Sequence, residues 1–422
     1  MRQRVIPSLT KYCKVLVKPY YVQNGKVAAR GIQIMSRKVQ QGAGMNISTY
    51  NSTATIVHVI GALAAGGAER FVSDLVQDFR KSGLNVILFI LSSRLDAVGN
   101  QMLDDLERAG VELYRGPTRK VGIRTVGWYT RKLFTVRPDI VHLHTPNTEL
   151  AHYLATCIYR RAHKIFRTIH SVRFSNSCAM RFAIRANSAS KSIACGAAVY
   201  QAHKQALSQR MVTVENGVRF HWPAKNPART MAEKVRRGFE IQSCHFLMVG
   251  RMNGTCLQNG PKGHDVLIRA WREGKLGDKQ GVLHILGDGN LRGQLTAMAD
   301  GDASIIFHGV QSNVYEWLLA SDCYVMPSRY EGLPIAGIEA MGTGVPCIFS
   351  DIPPLRELNA VHALWVPVEN SAALSQALHR VVRKLPSVDV AEVNQFRERF
   401  DIKHTAHKYA QLYASETSCF TA

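Results

Sequence analysis

No uninterrupted apolar run in the 422 residues approaches the roughly 18–20 needed to cross a bilayer, and the longest, such as residues 86–91, are strand-sized. A soluble or peripheral protein is therefore expected. Also missing are any CxxC pair and any Cys/His spacing of a metal site. The nine cysteines, odd in number, read as buried thiols of a reducing compartment, which points to the cytoplasm. There is no repeat of 20 to 50 residues and no low-complexity tract, which sets aside solenoids and linker arrays. Acidic residues are absent from residues 1–54, which hold nine Lys/Arg. This segment lacks both a signal-peptide core and a sustained helical apolar stripe. It reads as a disordered basic extension, or as sequence upstream of a natural start at Met45.

What is present is apolar residue enough, at 46%, for two cores, since single cores stop growing near about 250–300 residues. The net charge of +22 is uneven. Residues 1–220 carry 32 Lys+Arg against 11 Asp+Glu, and the remainder 21 against 20. One basic half beside a neutral half implies that this half alone meets an anionic partner: anionic lipid, a phosphorylated acceptor or nucleic acid. Residues 119–132 and 160–173 interleave their cations with Trp128, Tyr129 and Phe166, rings suited to the headgroup level of a membrane.

Along the chain, residues 55–60 form a β-branched run that ends in the glycine-bearing loop 61–67. Ala68, Phe71, Val72, Leu75, Val76 and Phe79 then recur at helical spacing until Ser82-Gly83. The alternation repeats through strands at 85–91, 111–114, 139–144 and 164–169, lapses at 223–229, and resumes at 244–249, 282–286, 304–307, 323–326 and 345–349. Strands alternating with helices imply parallel sheets covered on both faces. The expected fold is α/β: two Rossmann-like domains at 55–222 and 241–400 facing across a cleft, a linker at 223–240, and a C-terminal helix in 401–422 that crosses back to the first domain.

The most informative stretch is 327–346, which follows a strand and opens a helix. Gly332 permits a tight turn, Pro334 suits a first helical turn, and Glu339 falls inside the helix. A helix start with free N–H groups is a ready anion site, and carboxylates at Glu331 and Glu339 are placed to accept from hydroxyls at two ends of a ligand. With seven residues between these glutamates in a Gly/Pro frame, the stretch resembles the donor-binding signature of the retaining glycosyltransferases of family 4, whose two-Rossmann-domain architecture is the GT-B fold. Val249-Gly250-Arg251 and Pro261-Lys262-Gly263 resemble the opening of that family's C-terminal domain. The gap from Arg251 to Lys262 is longer than usual there. Gly287-Asp288-Gly289 is similar to its Gly-x-Gly turn, Gly66-Gly67-Ala68-Glu69-Arg70 to its N-terminal glycine loop, and 213–218 to its Asn-Gly segment, with Arg219 where Asp is common.

The resemblance spans about residues 55–415. It implies a donor nucleotide-diphosphate sugar bound by Gly66, Gly67, Gly250, Arg251, Lys262, Gly287, Gly289, Glu331, Gly332, Leu333, Pro334 and Glu339. Arg251, Lys262, Glu331 and His170 are the catalytic candidates, and His144 and Asn147 are candidates for the cleft or acceptor. Arg251 and Lys262 would grip the diphosphate. Lys262, read as a first-turn residue opposed to the helix dipole, makes sense beside an anion. Glu331 would face the transferred sugar and Glu339 the ribose. The scheme needs no cofactor or metal. It implies a hexose-type donor, a polysaccharide or lipid-linked acceptor, and front-face attack with retention at the inner face of the cell membrane. Two other classes fit parts of the sequence: a basic membrane- or nucleic-acid-binding protein, and a sugar-nucleotide epimerase of the same fold.

Overall fold

Short β-branched runs buried on both sides become the strands, and the amphipathic segments between them cover the faces. In the computed structural model, residues 51–173, 177–207, 210–360, 362–417 and 420–421 are described, all within the compact unit Ile47–Ala422. The basic segment up to residue 50, with Cys13, lies outside the described residues, as does Cys419. Strand β1 (Asn51–Ser52) precedes β2 (Ile56–Ile60), β3 (Val86–Ile90), β4 (Glu112–Arg115), β5 (Ile140–Leu143), β6 (Lys164–Ile169), β7 (Lys191–Ala194) and β8 (Met211–Thr213). The last seven form one parallel sheet in the order β4-β3-β2-β5-β6-β7-β8. A second parallel sheet holds β9 (Cys244–Val249), β10 (Gly281–Leu286), β11 (Ile305–Gly309), β12 (Cys323–Met326), β13 (Cys347–Ser350) and β14 (Leu364–Val366), in the order β11-β10-β9-β12-β13-β14. A last strand, β15 (Phe420–Thr421), pairs antiparallel with β1.

Helices α1 (Gly67–Lys81), α2 (Ala97–Arg108), α3 (Ile123–Val136), α4 (Pro146–Thr156), α5 (Cys178–Ala186) and α6 (Ala197–Leu207) flank the first sheet. The second sheet is accompanied by α7 (Pro227–Arg236), α8 (His264–Glu273), α9 (Arg292–Ala299), α10 (Val314–Ala320), α11 (Ile335–Thr343), α12 (Pro353–Arg356), α13 (Ser371–Arg383) and α14 (Val390–Arg399), and α15 (Ile402–Ala414) follows them. In each sheet the first strand of its series lies inside and the order reverses beside it. The strand ends at such a switch point open the crevice where ligands bind in open α/β sheets. Helix α15 packs back on α1, and its Tyr409 and Tyr413 are fully buried there among the residues of the first sheet.

Several details differ from the sequence reading. Strands β7, β8 and β14 went unnoticed because they are only three or four residues long and carry no clear alternation. The segment 223–240 is not patternless: Asn226 caps α7, accepting from the Arg229 N–H, and Pro227 occupies its first turn. Lys262 precedes its helix, because Gly263 takes the left-handed N-cap conformation (φ 69°) and α8 begins at His264. Tyr129 and Phe166, expected at an interface, are wholly buried in the cores of the first sheet, and Trp128 is half-buried.

Candidate active site

A cleft of about 340 Å³ opens where the ends of β5 and β6 and the start of α1 face the loop between β12 and α11. From the first sheet come Gly67 and Glu69 at the start of α1, His144 after β5, Thr168 and His170 around the end of β6, and Arg173. From the second come Arg251, Lys262 and the run Glu331 to Ile335. The start of α1 turns its free N–H groups to this space because Gly66 is extended and no side chain caps the helix.

At the floor, Lys262 Nζ donates to Glu331 Oε1 at 2.7 Å and Oε2 at 2.9 Å, and the Ser328 hydroxyl donates to Oε1 at 2.7 Å. Glu331 is buried and Lys262 keeps about a quarter of its surface. The pair is thus fixed by three hydrogen bonds, with the ammonium still reachable. Arg251 stands 3.6 Å from Glu69 and is half exposed, so its fork faces open space. One Glu69 carboxylate oxygen is buried with no hydrogen-bond partner, and burial raises that carboxyl's pKa while Arg251 opposes the shift. Arg329 holds the long loop between Arg251 and Lys262. Its guanidinium grips Asp265 at 2.7 and 2.8 Å and donates to the Gly260 carbonyl at 2.7 Å.

Two glycines are required by close approach. A Cβ on Gly332 would lie 2.2 Å from the His170 carbonyl, so this segment touches the other half of the molecule through bare backbone. Its neighbours do likewise: the Val172 N–H donates to the Glu331 carbonyl at 3.3 Å, and the Asn216 amide to the Leu333 carbonyl at 3.1 Å. Gly287, at φ 129°, lies against the Gly250 carbonyl, which a Cβ would approach to 2.1 Å.

Glu339 behaves differently from Glu331. It lies on α11 and does not line the cleft. Burial pushes its carboxyl up to about 7, against the pull of Arg70 and with a further upward push from Asp74. Gly66, Gly250, Gly287 and Gly289 also lie outside the lining. Asn147 is exposed near the cleft mouth beside the lining residue Pro146.

Behind His170 runs a chain of polar rings. His170 Nε2 lies 3.5 Å from His144 Nδ1, and His144 Nε2 is 2.9 Å from His58 Nδ1. The Tyr413 hydroxyl bridges His58 and His142 at 3.3 and 2.5 Å, and His142 reaches Thr168 at 2.8 Å. Burial holds the His170 pKa down to about 4 and that of His58 to about 3, so both rings are neutral near pH 7. His58, His142 and His144 offer nitrogens within 4.8 Å of one another. Their rings, however, stack at interplanar angles of 13–28°. Ring lone pairs lie in the ring plane, so stacked imidazoles do not converge on one ion, and their nitrogens go to the hydrogen-bond chain. An Asp-x-Asp pair, Asp300 and Asp302, lies in the turn between α9 and β11, engaged with Arg272 and Ser304.

The cleft thus brings together Gly67, His144, His170, Arg251, Lys262, Glu331, Gly332, Leu333 and Pro334. Ser328, Arg329, His58 and His142 escaped the sequence reading. Ser328 and Arg329 adjoin Glu331 and were visible as polar residues inside the 327–346 stretch. The histidines read as ordinary strand positions.

The family model described as Glycosyltransferase Family 4 matches residues 65–221, and that described as Glycosyl transferases group 1 matches residues 243–384. Between them they take in both sheets and both walls of the cleft. The chain belongs to glycosyltransferase family 4. Solved structures agree with this family 4 chain in fold, two parallel sheets in the GT-B arrangement. Anabaena HepE, crystallised with UDP and glucose, has a TM-score of 0.71 at 17% identity and covers 86% of this chain and 100% of its own. Among curated relatives, the lipopolysaccharide core biosynthesis mannosyltransferase LpsB of Rhizobium meliloti is 29% identical over 26% of this chain and 34% of its own length. The UDP-Gal:alpha-D-GlcNAc-diphosphoundecaprenol alpha-1,3-galactosyltransferase of Escherichia coli is 39% identical over 17% and 19%. The family 4 chain therefore spans about a third or less of the length of these curated relatives.

Proposed function

We propose that this chain transfers a hexose-type sugar from a nucleotide-diphosphate donor to a polysaccharide or lipid-linked acceptor, with retention at the anomeric carbon, in cell-envelope or exopolysaccharide synthesis. The observation that carries the reading is the Lys262–Glu331 pair on the cleft floor, inside the family's signature, with Arg251 beside it. The three groups set a phosphate-binding end and a hydroxyl-binding end side by side. HepE crystallised with UDP and glucose, and the E. coli galactosyltransferase, whose acceptor is a diphosphoundecaprenol lipid, support a nucleotide-sugar donor and a lipid-linked acceptor.

In this scheme the bond from the anomeric carbon to the diphosphate breaks, and the acceptor oxygen bonds to the same face. The acceptor proton passes to an oxygen of the departing diphosphate. Arg251, Lys262 and the N–H groups at the start of α1 meet the growing negative charge, which is the main stabilisation such a site supplies. Glu331 accepts from donor-sugar hydroxyls. His170, neutral near pH 7, is placed to hydrogen-bond the sugar rather than to act as a standing cation. The scheme calls on no metal or cofactor, and it places the protein at the inner face of the cell membrane.

The test is mass spectrometry of products formed from crude membrane lipid and mixed UDP-, GDP- and ADP-sugars. The parent should give a hexose-extended product, and Glu331→Ala should lower its rate by about 100-fold or more, the scale of losing one preorganised electrostatic contact. No thermal shift with any nucleotide, together with tight salt-sensitive RNA binding, overturns the reading.

A further inference from the structure

Among the described residues, eleven large hydrophobic side chains are exposed. Five of them lie on α3, α4 and α5 or two residues beyond α4: Ile123 (82% exposed), Ile158 (67%), Phe182 (57%), Phe134 (52%) and Leu154 (41%). Helices α3 and α4, and α4 and α5, pack side by side, and ring contacts tie Phe134 and Phe182 to the α4 segment. Phe134 meets Tyr159, the neighbour of Ile158, edge-on at 5.1 Å, and Phe182 meets Tyr153, the neighbour of Leu154, at 5.3 Å. Single exposed hydrophobics are ordinary, but a joined set marks a contact surface.

The charge around this face has one sign. Residues 119–185 hold thirteen Lys/Arg and two acidic residues, Asp139 and Glu149. Glu149 is buried against Arg167 at 2.9 Å, and Asp139 accepts the Thr55 N–H at 2.9 Å and lies 3.8 Å from Arg161, so one surface cation is offset and the others are not. Arg124, Arg131, Arg160, Arg161, Arg181 and Arg185 are exposed. The face also borders the cleft, which Pro146 at the start of α4 and Ile184 of α5 help to line.

We propose that the outward face of α3, α4 and α5 docks on an anionic lipid bilayer, its apolar side chains entering the headgroup boundary and its arginines meeting lipid phosphates. Exposed apolar residues ringed by cations, with no free carboxylate among them, match that partner in both chemistry and charge. No helix of the described residues is long and apolar enough to cross a membrane, so the contact is peripheral. The proposal rests on the lipid-linked-acceptor reading: with the face on the bilayer, the cleft mouth lies beside the lipid that presents the acceptor.

The experiment is flotation of the full chain with phosphatidylcholine vesicles, with and without phosphatidylglycerol, at low and high salt. The parent should bind anionic vesicles at least tenfold better than neutral ones and lose the preference in high salt. Two variants, Phe134→Ser/Ile158→Ser/Phe182→Ser and Arg131→Glu/Arg160→Glu/Arg181→Glu, should each lose at least tenfold. Both should keep the donor-induced thermal shift, because none of these residues lines the cleft. The proposal is overturned if the variants float like the parent, which would move the contact elsewhere on the chain, or if the parent shows no anionic preference. It is also overturned if the apolar variant only converts a dimer to a monomer in sedimentation, which would make the face an interface between two copies. Absence of a donor shift in the parent would count against the transferase reading and leave the flotation result to be judged alone.

Discussion

Glu331 and Glu339 belong to the same signature, yet their surroundings give them opposite chemistry. Glu331 takes three hydrogen bonds, two of them from an ammonium, whereas Glu339 has its carboxyl pushed from 4.5 up to about 7 by burial. The unfolded chain releases the Glu339 proton near the ordinary value and the folded chain near 7, so the folded state holds more protons between them. Stability from this group is therefore greatest below about 4.5 and is lost as pH rises through the window to about 7. Glu339→Gln removes the buried charge while keeping the shape. It should melt higher than the parent at pH 8, with an advantage about 2 kcal/mol larger there than at pH 5. A constant difference across pH, read by thermal unfolding, would show that Glu339 is charged without penalty.

At the scale of elements, the loop from β12 to α11 matters for its backbone as much as for its side chains. Gly332 touches the His170 carbonyl, and the Glu331 and Leu333 carbonyls accept from Val172 and Asn216. Gly332→Ala would push a methyl carbon to 2.2 Å from that carbonyl, so the loop must move away and carry Glu331 with it. We expect at least a tenfold loss of kcat/KM together with a lowered melting temperature, since Leu333 and Ile335 beside this glycine are buried in the core that both halves share. A normal kcat/KM would mean that the loop adapts without disturbing Glu331. The sequence announced this element plainly, because a Gly/Pro frame around two glutamates has a local signature. Ten of the parallel strands were likewise legible, most of them as buried apolar runs that need no partner to be recognised. The short strands β7, β8 and β14 were not, because three or four residues carry little pattern; edge position does not decide it, since the exposed edge strand β4 was read and the interior β7 was not. The buried histidine chain was also hidden: His58 and His142 are 84 residues apart in sequence, and only the register of β2 against β5 sets them side by side. Tyr129 and Phe166 misled for the reverse reason, since a ring among basic residues in sequence says nothing about which side of the helix or strand it occupies.

Over the whole molecule, the two halves share one apolar cluster, and among the polar groups that join them is an acid at a helix end. Glu357, next to α12, accepts the N–H groups of Ala197, at 2.6 Å, and of Ala198, both at the start of α6. These are donors with no partner inside their own helix, and a carboxylate there also meets the positive end of the helix dipole. The contact joins the two halves near Gly332 and Leu333, so it favours the closed cleft. Glu357→Ala should shift the free protein toward open forms, seen as a larger radius of gyration in solution scattering. Donor binding must then close the cleft from a more open ensemble, and its apparent affinity falls by the fraction of closed molecules lost. A charged hydrogen-bond pair of this kind, at about 1.5–3 kcal/mol, corresponds to a donor KM raised by about tenfold or more, with kcat affected less because Glu357 lies outside the cleft lining. Saturating donor should bring the radius of gyration of the variant back to that of the parent. If scattering and KM are both unchanged, the coupling of the halves lies instead with α15 and the backbone contacts of the Gly332 loop.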